Sequence, residues 1–216
     1  MHTVIFAAGS VRPGRWVDEA IARAELVIAA DRGAQTALTY GLTPRYIIGD
    51  LDSLKLSAQR LQELGCEVVR AQEEKDETDS ELAFQLALEK GATSITLLGG
   101  WGGERLEHAI GNITLLVDIT SVPVRLVDGP TACWIVRGPG RTEIEGQTGD
   151  LLSLFPLSGD ARGVSTHNLY YALVDGCLRF GKPRGISNVL TDQHAEVTVE
   201  SGILLVVHTR KDELHE

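Results

Sequence analysis

No apolar run in this sequence approaches the roughly 18 residues that a membrane-crossing helix needs, so no membrane partner is expected. Cysteine is scarce. Cys66, Cys133 and Cys177 are odd in number, widely separated and without a CxxC pair. That excludes a disulfide scaffold and fits reduced thiols in a cytoplasmic protein. The amino-terminal Met1-His2-Thr3 lacks a basic stretch followed by an apolar one, so no export signal is expected. Positive charge is in deficit too: 20 Lys and Arg against 30 Asp and Glu leave a net charge of −10. Phosphate backbones are gripped by clustered Lys and Arg, and no cluster stands out, so a nucleic-acid partner is not expected. The six histidines show no zinc-like spacing. GxGxxG and Walker motifs are both absent, since Gly181-Lys182 runs into Pro183. Repeats and low-complexity linkers are also lacking.

What is present falls into two halves with different periods. Up to residue 127, short apolar runs (Val4–Ala8, Leu26–Ala30, Tyr46–Ile48, Glu67–Val69, Ile95–Leu98, Val124–Val127) alternate with helical spacing. The helical stripes include Val17, Ala20, Ile21 and Ala24, then Leu82 and Leu86, then Leu106, Ile110, Ile113 and Val117. Unbroken apolar strands between helices predict an α/β domain over 1–127, built on a mostly parallel sheet. From 128 to 216 the period drops to two and turn signals crowd in, among them Gly138-Pro139-Gly140, Asp175-Gly176 and Ser201-Gly202. An all-β sandwich or barrel is expected there, with Asp175-Gly176 as a two-residue hairpin turn.

In open α/β sheets, ligands bind beyond the carboxyl ends of the strands. Here those ends read Ala8-Gly9, Ala30-Asp31, Gly49-Asp50 and Leu98-Gly99. In Gly49-Asp50-Leu51-Asp52-Ser53, extended backbone would place Asp50 and Asp52 on one side. At roughly 6 Å and an effective dielectric near 20, two carboxylates repel by about 3 kcal/mol, which a bound cation removes. Mg²⁺ fits, because it takes one or two protein carboxylates together with substrate phosphates. An Asp-rich turn in which Asp52 or Ser53 caps the next helix is the alternative.

Thr78-Asp79-Ser80-Glu81 is a capping-box pattern, with Thr78 as cap. Acids at a helix start complement its dipole, which suffices for Glu73, Glu74 and Glu77. Asp79 sits in the first turn at the ligand edge and can complete a three-aspartate metal site, and Lys75 can meet a phosphate. Gly99-Gly100-Trp101-Gly102-Gly103 lets backbone approach a nucleotide, and Arg105 adds a planar fork for phosphate oxygens. His108, one turn further on, also lies near the crevice.

With these residues assembled, the chain resembles bacterial thiamine pyrophosphokinases along nearly its whole length. Five segments carry the resemblance, in order: Ala30-Asp31-Arg32-Gly33-Ala34, Thr43-Pro44 through Asp50-Leu51-Asp52-Ser53, Lys75 through Asp79, Gly103 through His108 with Asn112, and Arg184-Gly185-Ile186-Ser187-Asn188. The resemblance implies an α/β catalytic domain, a β-sandwich and a homodimer in which thiamine lies between one subunit's first domain and its partner's second. It also implies ATP and Mg²⁺, with AMP and thiamine diphosphate as products. By position, Asp50, Asp52 and Asp79 match the magnesium aspartates, Asp31 a further active-site acid and Arg105 the phosphate-contacting arginine. Gly33, Ser53, Lys75, Asp76, Thr78, Gly99, Gly102, Gly103 and His108 are the expected nucleotide side, and Ser187 and Asn188 the expected thiamine side. Four positions depart from the family pattern: Arg32 and Asn168 stand where glycine is usual, Glu104 is inserted, and Glu107 replaces aspartate. Two other readings remain at this point: a pyrophosphokinase for another small alcohol such as a hydroxymethyl pterin, and a non-catalytic nucleotide or thiamine sensor.

Overall fold

Aliphatic runs in the first half form strands, and in Val4–Phe6, Val27–Ala30 and Ile95–Leu98 every residue is buried, as required when helices cover both faces of a sheet. The computed structural model describes residues 1–49, 58–69, 76–103 and 105–214. These form two compact units, Met1–Gly129 and Pro130–Glu216.

In the first unit the elements alternate: β1 (His2–Phe6), α1 (Arg15–Ala22), β2 (Leu26–Ala30), α2 (Gly33–Thr39), β3 (Tyr46–Ile48), α3 (Ala58–Glu63), β4 (Glu67–Val69), α4 (Asp79–Glu89), β5 (Ser94–Leu98), α5 (Leu106–Asp118) and β6 (Val124–Asp128). The strands lie in the order β6-β5-β1-β2-β3-β4. Every pair among them is parallel, with Val4 level with Val27 on one side and Thr96 on the other. Val4, Ile5, Phe6, Ile28, Ile47, Leu97 and Leu98 make up the centre of the core.

Two helices turn a different face inward than their apolar spacing suggests. In α4 the buried residues are Ala83, Phe84 and Ala87, while Leu82 and Leu86 are only half-buried. In α5 the buried line is Asn112 and Leu116, whereas Leu106 is 71% and Ile110 53% exposed. The reason in α5 is polar: the Asn112 side chain donates to the Gly100 carbonyl at 2.9 Å, and that bond turns the helix towards the glycine-rich loop.

The second unit contains β7 (Thr131–Arg137), β8 (Gly140–Glu145), β9 (Leu151–Pro156), β10 (Ala161–His167), β11 (Gly176–Leu178), β12 (Asn188–Val189), β13 (His194–Val199) and β14 (Ile203–Thr209). Its two sheets run β12-β9-β14-β7 and β11-β10-β13-β8, with all pairs antiparallel. Alternate residues point inward, so that Val136, Ile144, Leu154, Val164, Val197 and Leu204 from both sheets share one core, which is the expected sandwich. Asp175-Gly176 is not a two-residue hairpin turn. Residues 168–175 connect β10 to β11, and Asp175, at φ 48, leads into β11, whose Gly176 is level with Val164.

Candidate active site

Strand order decides where a site can form. The chain steps outward from β1 to β4, and α4 then returns it to β5 on the other side of β1. Connections leaving β1 and β5 therefore diverge, which opens a crevice at the carboxyl ends of the strands. A crevice of about 430 Å³ lies there, lined by the turns after β1, β2 and β5 and by the first turns of α4 and α5.

Its floor is main chain. The Gly9 amide donates to the Gly99 carbonyl at 3.0 Å, which ties the turn after β1 to the turn after β5. A Cβ on Gly9 would collide with the carbonyl oxygens of Gly99 and Gly102. The two turns thus pack back to back, and Asn112 braces the second from behind. Ala8-Gly9 is visible in the sequence as a strand end. That it abuts the Gly99–Gly103 turn depends on β1 and β5 being neighbours, which no local pattern announces. Of the glycines expected at the nucleotide, Gly99, Gly102 and Gly103 line the crevice. Gly33 does not: it is buried at the start of α2, where a side chain would strike the Phe6 carbonyl.

Asp31 lines the crevice from the end of β2 in a left-handed conformation, φ 47, with its amide donating to the Ile48 carbonyl at 2.8 Å. Its carboxylate rests on Gly49, where any Cβ would overlap Oδ1. Arg32 follows, exposed and also lining the crevice. Asp50, Asp52, Ser53 and Lys75 lie outside the described residues.

Across the crevice, Thr78 caps α4 by accepting the Glu81 amide at 3.2 Å, as the sequence pattern predicts. Asp79 and Ser80 open the helix and line the crevice with Thr78, whereas Asp76 is exposed and is not among the lining residues. Among the described residues no group of three or more His, Cys, Asp or Glu side chains could hold a metal ion.

Arg105 and His108 line the crevice at the start of α5. The Arg105 Nε donates to Glu107 Oε1 at 2.7 Å, and that bond holds the Glu107 carboxyl below its ordinary range. Both side chains are largely exposed, and such pairs are weak. The longer carboxylate at position 107 therefore faces Arg105.

In the second unit, exposed Ser187 has φ 57, and its amide donates to Ser153 Oγ at 3.0 Å. Asn188 is buried, and its amide is committed to the backbone of Tyr171: Oδ1 accepts from the Tyr171 N–H at 2.9 Å and Nδ2 donates to the Tyr171 carbonyl at 2.8 Å. Asn188 thus shapes the 168–171 loop. Next to this segment, the Leu190 amide donates to the Asp150 carbonyl at 2.9 Å. The Asp150 side chain, 2% exposed, accepts from the amides of Gln147 and Lys211 and shares a 3.0 Å bond with His208 Nε2. Neither residue carries a motif, and 58 positions separate them, so the sequence contains no signal for the pair.

Comparison with known proteins agrees with this geometry. Residues 17–127 match the model of the thiamin pyrophosphokinase catalytic domain, and residues 141–204 match that of the thiamin pyrophosphokinase vitamin B1 binding domain. Thiamine pyrophosphokinase of Bacillus subtilis (strain 168) is 31% identical over 188 residues, covering 85% of this chain and 87% of that protein. The crystal structure of the Bacillus subtilis enzyme superposes with a TM-score of 0.85 at 30% identity, over 98% of this chain and 100% of that one. That of the Geobacillus thermodenitrificans enzyme gives 0.82 at 28%, over 99% and 100%. With both units matched and the relatives covered almost end to end, the chain belongs to the thiamine pyrophosphokinase family.

Proposed function

We propose that this chain transfers the diphosphate of ATP to the hydroxyethyl oxygen of thiamine, giving thiamine diphosphate and AMP. The observation that carries the reading is the glycine-floored crevice at the switch point, with Asp31, Asp79, Arg32 and Arg105 at its rim, in a chain whose two units match the family's two domains.

The thiamine oxygen attacks the β-phosphorus in line. A new O–P bond forms, the bridge to the α-phosphate breaks, and AMP leaves with the bridging electron pair. The alcohol proton passes to a crevice carboxylate, Asp31 or Asp79. The glycine turns let the phosphates approach the backbone closely, and the Arg105 guanidinium meets them, where a preorganised donor offsets developing charge. Once bound, the AMP moiety and the diphosphate are oriented by the same rigid floor, which turns encounter into positioned attack.

Carboxylate oxygens are the ligands that a hard divalent cation takes. Asp79 contributes carboxylate oxygens at the crevice, and Asp31 lies where a side chain at Gly49 would otherwise intrude. In this proposal Asp79 acts with Asp50 and Asp52 to hold Mg²⁺. The ion's contribution would be to neutralise phosphate charge. Ser53, Lys75 and His108 complete the nucleotide side, and the Ser187–Asn188 segment is proposed for thiamine. Exposed Leu106 and Ile110 in one unit, and Tyr170, Tyr171, Val174 and Phe180 in the other, support a homodimer in which a second copy covers them. The three cysteines form no disulfide, which supports a reducing, cytoplasmic setting.

The experiment is to incubate the protein with ATP, Mg²⁺ and thiamine and measure AMP and thiamine diphosphate in equal yield. Asp50→Asn and Asp52→Asn should each nearly abolish both products. Near-normal turnover in both variants would refute the metal assignment, and no product with wild-type protein would refute the reaction.

A further inference from the structure

Two arginines line the crevice, and they are held differently. Arg105 is bonded to Glu107. Arg32 is exposed at the start of α2, and among the described residues its guanidinium has no hydrogen-bond or ion-pair partner. The nearest acid in sequence, Asp31, does not neutralise it, because that carboxylate is turned onto Gly49. A cation is thus left available at the rim of a crevice that also carries Asp31 and Asp79.

Topology places the two arginines on different flanks. Arg32 follows β2 and Arg105 follows β5, and these strands lie on either side of β1. With neighbouring strands about 4.8 Å apart, the two loops approach the crevice from strand ends about 10 Å apart. A polyphosphate tail carries several negative charges along its length, and a guanidinium on each flank can offset them at two points. A guanidinium also presents parallel N–H groups that suit two phosphate oxygens at once, which an ammonium cannot do.

We infer that Arg32 is a specificity-determining residue that binds the polyphosphate tail of the nucleotide and discriminates it from a monophosphate. This rests on the crevice being the nucleotide site. Arg32 meets the incoming tail first, since among the described residues it has no contact to break, and Arg105 joins when phosphate displaces Glu107. The product AMP has no such tail, so Arg32 holds substrate without retaining product.

The test compares wild type, Arg32→Gly and Arg32→Lys in two measurements. The first is equilibrium binding of ATP and of AMP with Mg²⁺ present and thiamine omitted. The second is KM for ATP and for thiamine. Arg32→Gly should weaken ATP binding and raise its KM about tenfold, while leaving AMP binding and the KM for thiamine within about twofold. Arg32→Lys should recover part of the loss. Unchanged ATP binding in Arg32→Gly, or an equal loss of AMP binding, would overturn the inference. If Arg32→Gly weakens ATP binding in the expected way but wild type never forms thiamine diphosphate, the inference stands and the proposed reaction falls.

Discussion

The crevice of the α/β unit and the interior of the sandwich treat acidic side chains in opposite ways. Asp31 and Asp79 sit half-buried at an edge, one in the turn after β2 and one at the start of α4, which a rigid parallel sheet brings together. Asp150 sits inside the sandwich, surrounded by two backbone amides and an imidazole. An enclosed carboxylate with matched donors serves the fold, because removing one partner leaves the other uncompensated. A carboxylate at the rim of a crevice stands where an incoming ligand can reach it. Asp128 shows that location decides this rather than the unit: it belongs to the α/β half, yet it is buried and committed to the amide and Nε of Arg12 at 2.8 and 2.7 Å.

Substitutions can break that contrast, and the largest effect is expected at Asp79. Asp79→Asn should lower turnover about 10²- to 10³-fold, the scale for losing a preorganised charge at a reacting centre. Its thermal midpoint should barely move, and a large fall in melting temperature would make Asp79 a structural acid instead. Asp150→Asn should behave inversely, with stability falling by about 3 kcal/mol in denaturant titration and the surviving folded protein still active.

Acid sharpens the same contrast. Burial alone would raise the Asp150 pKa, but bonds from the Gln147 and Lys211 amides and from His208 outweigh it and hold the group below its ordinary value. A carboxyl with a depressed folded pKa stabilises above the unfolded value, about 3.9, and loses that contribution as pH falls through the folded one. Below about pH 4, wild type should therefore lose stability more steeply than Asp150→Asn, and parallel profiles would count against the clamp. The smallest effect is expected at Thr78, where loss of the cap in Thr78→Ala costs about 1 kcal/mol. Because Thr78 also lines the crevice, an activity loss far beyond that would move it from the fold to the ligand.

Much of the first unit was legible because its strands are unbroken apolar runs, and β2, β3 and β4 have the bounds those runs suggest. The faces of α4 and α5 were not. Spacing rules assume that apolar residues face inward, and α5 instead buries Asn112 to reach Gly100. In the sandwich, β8 carries no apolar run to announce it, because it is mostly polar and buries only Ile144. β10 is interrupted at Gly163, where the register with β11 shifts, and β12 is only two residues long. For the site, acids and glycines at strand ends pointed to the right edge. The interlock of Gly9 with Gly99 and the pairing of Arg105 with Glu107 depend on three-dimensional proximity and had no signature.

The interlocked glycine turns limit how the site can diversify. With its base built from peptide groups and no side chains, there is nothing at the bottom to exchange, and a methyl added at Gly9, Gly99 or Gly102 would wedge the two turns apart. Variation in ligand preference must therefore come from the lip, at positions such as 32, 105 and 107, while the base stays invariant in shape for steric reasons alone.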